Sequence, residues 1–324
     1  MKRCIFIGLL LMVTLVSAAE KKKETKPQEN AENSVAQEVV KPDQEKMISK
    51  QIERNLRGGE AVWLPDGNQT FLGIYTPNRW KETQGAVLLL HDVGANADWP
   101  NLISPFRRFF PEKGWHTLSL QSPMVRVDME KEAYLTQFDR LIARIDAGVR
   151  FLKQKNIGNI ILVGHGWGAA AAILFITRNQ DAPVTAFVAL SIPGGEALNP
   201  VVTKGKALEK VEMKKKEKAS KKEPEEENPV KQKQMPERDF LVEIQKIKIP
   251  LFDIIGLNDY QEVVREAEKR KERMQLSENQ AYRQWRVEGA DHYFRGQELI
   301  LFKRILGWLR KNAGGMEIAT PSGS

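Results

Sequence analysis

The sequence predicts an α/β domain: a mostly parallel central sheet with helices on both faces, entered through an N-terminal antiparallel hairpin. Three observations carry that expectation. Short continuous apolar runs, such as residues 86–90, read as strands buried on both faces rather than on one. Stretches of helical periodicity lie between such runs; Leu135, Phe138, Ile142, Ile145, Val149 and Leu152 recur at spacings of three and four. The two patterns then alternate toward the C-terminus, as repeated strand–helix units do around a parallel sheet.

In chain order, the first feature is a leader. Lys2 and Arg3 precede an apolar stretch over residues 5–15, broken only by Gly8 and Thr14, and Val16-Ser17-Ala18-Ala19 supplies small residues for cleavage after Ala18 or Ala19. The stretch is short beside the roughly 20 apolar residues of a membrane-crossing helix. Residues 1–19 are therefore expected to be a cleaved signal peptide, with no transmembrane span afterwards. The expected location is periplasmic, with extracellular as the second choice. Cys4, the only cysteine, lies ahead of the apolar stretch and leaves with the leader, so the exported chain has no disulfide. Its folded part is large enough to do without one.

Residues 20–54 hold no aromatic residue and are rich in Lys, Glu and Gln, which reads as a flexible charged linker. The folded domain is placed at 55–312. Within it, residues 60–64 and 70–75 flank Pro65-Asp66-Gly67-Asn68 as a hairpin. A strand at 86–90, a helix at 101–110, a strand at 115–120 and the long amphipathic helix follow. Strands at 159–163 and 184–190 enclose an Ala-rich helix at 168–177. A low-complexity insertion covers 201–238, with Lys214-Lys215-Lys216, Glu225-Glu226-Glu227 and three prolines. Beyond it come a strand at 250–255, a helix at 260–272, a strand at 281–287 and a last helix carrying Phe302, Ile305 and Leu309. Residues 313–324 read as a flexible tail.

The formal charge of +8 is modest, Lys and Glu are interspersed, and no nucleic-acid motif accompanies them, so no nucleic-acid partner is expected. The four histidines show no H-x-x-x-H spacing, and the glycines lack the dinucleotide-binding pattern; no metal and no cofactor is expected.

In open α/β sheets reactive groups collect at the C-terminal ends of strands, and four such ends are informative. The strand at 159–163 runs into Gly164-His165-Gly166-Trp167-Gly168 and then a helix, the spacing of a G-x-S-x-G nucleophile elbow with Gly166 at the centre. A tight turn with alternating glycines is the plainer reading. The strand at 250–255 leads to Gly256-Leu257-Asn258-Asp259, where Asp259 is either an acid or a helix N-cap. The strand ending at Val287 leads to Gly289-Ala290-Asp291-His292-Tyr293-Phe294, placing His292 before the last helix. The fourth is Leu90-His91-Asp92-Val93-Gly94, an H-x-x-G loop in which Asp92 brings a carboxylate.

Taken together, these ends resemble the α/β-hydrolase superfamily over residues 57–312. Within it, the H-D-V-G loop, G-H-G-W-G elbow and G-A-D-H-Y-F segment look most like a family of uncharacterised exported proteobacterial proteins. The resemblance implies Gly166 as the nucleophile position without a side chain, Asp259 as the acid and His292 as the base. It implies the N–H groups of Trp167 and of Asp92 or Val93 as oxyanion donors, and the 201–238 insertion as the place of a lid, here far more polar than one that faces lipid.

The missing hydroxyl decides the functional expectation, because a triad without its nucleophile retains only about 10³–10⁴-fold catalysis over water. A non-catalytic binding or interaction protein of the cell envelope is expected, its partner an envelope protein or a small ligand. The alternative is an ester or amide hydrolase in which an Asp259–His292 dyad activates water, or in which Ser122 or Ser191, each just past a strand, replaces the nucleophile. Returning a serine at 166 is expected to reveal whether the remaining groups are still in position.

Overall fold

The computed structural model describes residues 42–125, 131–194 and 240–314. The signal peptide, the first part of the linker, the insertion at 201–238 and residues 315–324 of the tail lie outside the described residues.

The chain enters as helix α1 (Pro42–Asn55), followed by strands β1 (Glu60–Asp66), β2 (Gln69–Thr76) and β3 (Gly85–Leu90). Next come α2 (Ile103–Phe109) with a single 3₁₀ turn (Phe110–Lys113), β4 (Trp115–Leu120), α3 (Lys131–Gln154), β5 (Ile160–His165) and α4 (Trp167–Arg178). The remainder is β6 (Val184–Leu190), α5 (Phe240–Gln245), β7 (Leu251–Gly256), α6 (Gln261–Gln275), β8 (Tyr282–Val287) and α7 (Glu298–Asn312). One eight-stranded sheet results, in the order β1-β2-β4-β3-β5-β6-β7-β8. β1 pairs β2 and β2 pairs β4 antiparallel; every pairing from β4 through β8 is parallel. This is the α/β-hydrolase fold that the sequence predicts, hairpin included.

The continuous apolar strands are explained by the two packed faces. Leu88 and Leu90 join a core with Phe138, Leu141 and Ile145 of α3 and the alanines of α4. Val87 and Leu89, between them in sequence, join a second core with Phe106 of α2 and Phe302, Ile305 and Leu309 of α7. Successive side chains of a strand point to opposite faces, so a strand covered on both has no polar position left.

One boundary differs from the expectation. Residues 42–54, assigned to the linker, belong to α1. Ile52 and Leu56 pack with Trp63 over the buried Leu72, Ile74 and Ala97. Trp63 Nε1–H donates to Glu53 at 2.9 Å, and Glu45 pairs with Arg144 at 2.7 Å. So few apolar residues leave no local signature; contacts with distant strands hold this helix. Among the described residues no helix is long and apolar enough to cross a membrane.

Candidate functional site

Gly166 is the bend between β5 and α4, with φ 52° and ψ −117°. Its flanking glycines admit close backbone packing: a Cβ at Gly164 would lie 2.5 Å from Ala169 Cα, and one at Gly168 would lie 2.6 Å from the Leu90 carbonyl oxygen. Gly166 is different. A Cβ there would collide with the carboxyl group of Asp92, which comes from the loop after β3. The volume that any side chain at 166 would need is filled by a carboxylate from the end of another strand.

That carboxylate is hydrogen-bonded on both of its oxygens. Asp92 Oδ1 accepts the Trp167 N–H at 2.6 Å, and Oδ2 accepts from His292 Nε2 at 2.9 Å. His292 Nδ1–H donates to Asp259 Oδ1 at 2.7 Å. Asp259 in turn accepts the Tyr260 N–H at 2.7 Å and the Ser191 hydroxyl at 2.5 Å. The structure thus brings Asp92, Gly166, Trp167, Asp259 and His292 into one cluster. Val93 follows Asp92 and packs, half-buried, against the α3–α4 core.

With a carboxylate on each ring nitrogen, His292 is an imidazolium. Burial alone would lower its pKa, but the hydrogen bonds to Asp259 and Asp92 and the two negative charges prevail and push it up to about 9. Burial opposes ionisation of Asp92 as well; the hydrogen bond from His292, the neighbouring histidine charges and the Trp167 N–H hold it below the usual carboxylate range. His91 stays neutral. Its Nδ1–H donates to the Asp92 carbonyl, its Nε2 accepts the Ser122 N–H, and burial drives its pKa down to about 4.

Several sequence expectations change on this geometry. The Trp167 N–H, expected as an oxyanion donor, already serves Asp92. Asp92, expected to contribute through its backbone, contributes its side chain. The N-cap of α6 is Tyr260 and no side chain caps it, so Asp259 faces His292 instead of capping the helix. Ser191, buried with φ 52°, lies on the far side of the acid from Nε2. The Ser122 hydroxyl is buried without a hydrogen-bond partner among the described residues.

Two neighbours escaped sequence reasoning. His165, at the end of β5, donates from Nε2 to the His292 carbonyl at 2.9 Å, and its ring lies 4.7 Å from that of His292. Tyr260, largely exposed, covers His292 at 4.7 Å, with Tyr293 on edge at 4.9 Å. His165 was visible as the residue before the elbow glycine; nothing in its local sequence marks it. Asp92, His165 and His292 also form a group whose potential ligand atoms all lie within 4.8 Å of one another.

The chain matches the family described as "Protein of unknown function (DUF3530)" over residues 3–136 and 126–311. No curated protein matches it. Among solved structures, the Pyrococcus furiosus esterase Pf2001 superposes with a TM-score of 0.56 at 20% identity, over 79% of this chain and 93% of that one. Est1E from Butyrivibrio proteoclasticus gives 0.56 at 13% identity, over 79% and 99%. An alpha-beta serine hydrolase homologue from Coxiella burnetii gives 0.53 at 11%, over 78% and 98%. At these identities the likeness is one of fold.

Proposed function

Because this chain belongs to the DUF3530 family of proteins of unknown function and has the α/β-hydrolase fold, we propose that it is a non-hydrolytic binding or interaction protein of the cell envelope, exported by its N-terminal leader. The periplasm is the proposed location, supported by the charged start, apolar stretch and small-residue cleavage site of residues 1–19.

One observation carries the non-hydrolytic reading: the Asp92 carboxylate occupies the seat beside Gly166. Serine-type acyl transfer needs a hydroxyl on the base and a free N–H for the developing oxyanion. Here one anion takes both places, on His292 Nε2 and on Trp167 N–H. Loss of a single oxyanion donor costs roughly 10²–10³ in kcat, and a fixed negative charge in its place adds repulsion. The dyad alternative requires an Nε2 lone pair to take a proton from water, but Nε2 already donates to Asp92. A displaced nucleophile at Ser191 has its hydroxyl on Asp259, not on the base.

Labelling with a fluorophosphonate probe tests this reading. The wild-type chain should remain unlabelled. Gly166→Ser alone should also remain unlabelled, because its side chain meets Asp92. The pair Gly166→Ser with Asp92→Gly clears the seat and returns the hydroxyl, and should gain labelling that His292→Ala removes. Stoichiometric labelling of the wild-type chain at any serine sinks the proposal.

A further inference from the structure

We infer that Asp92, His165 and His292 form a site for one first-row divalent transition-metal ion such as Zn²⁺, bound beside Gly166. The inference extends the non-hydrolytic reading of the same site by naming an occupant.

Three features support it. The first is convergence: the three side chains come from the ends of β3 and β5 and from the loop after β8, and their potential ligand atoms lie within 4.8 Å of one another. The second is the surrounding hydrogen bonding. Metal-binding histidines are held by an acceptor on the other ring nitrogen, which sets the tautomer and aims the lone pair. His165 Nε2–H is fixed by the His292 carbonyl, leaving Nδ1 as its lone-pair nitrogen. His292 Nδ1–H is fixed by Asp259, itself anchored by Ser191 and the Tyr260 N–H. His165 thus has one nitrogen clamped and a lone pair on the other, and His292 offers Nε2 once the proton it shares with Asp92 is displaced.

The third is the donor set. Two imidazoles and a carboxylate suit zinc or iron(II) rather than magnesium or calcium, which take oxygen ligands. Three protein ligands leave a coordination position open to water or a small ligand. Asp92, with 16% of its side chain exposed, marks the open side. In the metal-free chain a proton bridges His292 Nε2 and Asp92 Oδ2 at 2.9 Å. The ion replaces that proton, which leaves to solvent. Ligands about 2.0–2.1 Å from a tetrahedral ion stand slightly further apart than this, so the pair need only part a little while the His165 ring closes in.

Calorimetric titration of Zn²⁺ into the chelator-treated full-length protein tests the site, with Co²⁺ absorption as the reporter of coordination. One equivalent should bind, with the intense visible bands of a four- or five-coordinate cobalt ion. Asp92→Asn and His165→Asn should each abolish the stoichiometric step. Asp259→Asn, which loosens the clamp, should weaken it by about 10–100-fold. His116→Ala should leave it unchanged, because His116 is bonded elsewhere, to Tyr75 and Asn78. Circular dichroism of each variant separates a lost ligand from a lost fold; Asp259→Asn and Co²⁺ spectra of the wild type keep the question decidable if His165→Asn does not fold. No stoichiometric binding to the wild type, or equal binding by Asp92→Asn and His165→Asn, overturns the site. Fluorophosphonate labelling of the wild type would end the non-hydrolytic reading and leave the metal result standing, so the two failures are distinct.

Discussion

Asp92 joins groups that the chain keeps far apart. Its carboxylate touches the start of α4 through Trp167, the loop after β8 through His292, and the space above Gly166. Gly166 and Asp92 are therefore coupled: a side chain at 166 would displace the carboxylate, and its backbone at φ 52° would add strain of about 1–3 kcal/mol. The ion triad also makes stability pH-dependent. His292 rises from its ordinary 6.5 to about 9, so its contribution is complete below the unfolded value and is lost as pH rises through the folded one. In metal-free protein, denaturant unfolding at about pH 6 and about pH 10 should differ by on the order of 2–3 kcal/mol from this group. Asp92→Asn removes one of the two anions and should shrink that difference. A difference of undiminished size in Asp92→Asn would mean that other groups cause it.

At the scale of elements, α1 and the end of β1 are tied to α3 by a buried cation. Arg144 of α3 donates from Nε and Nη2 to Asp66 at 2.9 and 2.6 Å, and from Nη1 to the Gln121 carbonyl at 2.7 Å. It also pairs with Glu45 at 2.7 Å and lies over the Phe71 ring at 4.6 Å. Its side chain is fully buried. Removing one partner of a buried pair leaves an uncompensated charge and costs about 3–5 kcal/mol. Asp66→Asn should lower stability by about 3 kcal/mol, the low end of that range because Glu45 remains. Glu45→Gln should cost less, and the comparison is read from urea midpoints at neutral pH. Burial opposes ionisation of Asp66, but the hydrogen bond from Arg140 and the charge of Arg144 hold its pKa below the usual value. The stability it confers is thus present above its unfolded pKa and disappears as pH falls through the lower folded one.

Over the whole molecule, the sheet interior carries the stability and the surface tolerates change. Leu162 of the central β5 is fully buried, whereas Leu276 beyond α6 is 82% exposed. Leu162→Ala should cost about 2–5 kcal/mol and Leu276→Ala less than about 0.5 kcal/mol, measured by chemical unfolding. The same contrast explains which parts of the architecture were legible beforehand. β3 and β5 announce themselves because strands covered on both faces are apolar at every position, and the elbow because a strand-to-helix bend passing at backbone contact needs small residues. α1 left no such mark: the helix and the residue that follows it present little more than Ile52 and Leu56 to the strands beneath. In the site, Gly166, Asp259 and His292 were recognisable by their places at strand ends. His165 and Tyr260 were not, since nothing near them in sequence requires a partner.

What the sequence by itself determined is the layered α/β architecture, the alternation of strands and helices along the chain, and a glycine at the bend after the strand at 159–163. These follow from local patterns, since periodicity and turn chemistry act over a few residues. Only the tertiary structure decided what fills the space beside Gly166. The approach of Asp92 to His292, two hundred positions apart in the chain, arises because β3 lies beside β5 and the loop after β8 reaches the C-terminal ends of the same central strands, and side-chain contacts made across a sheet carry no trace in local pattern.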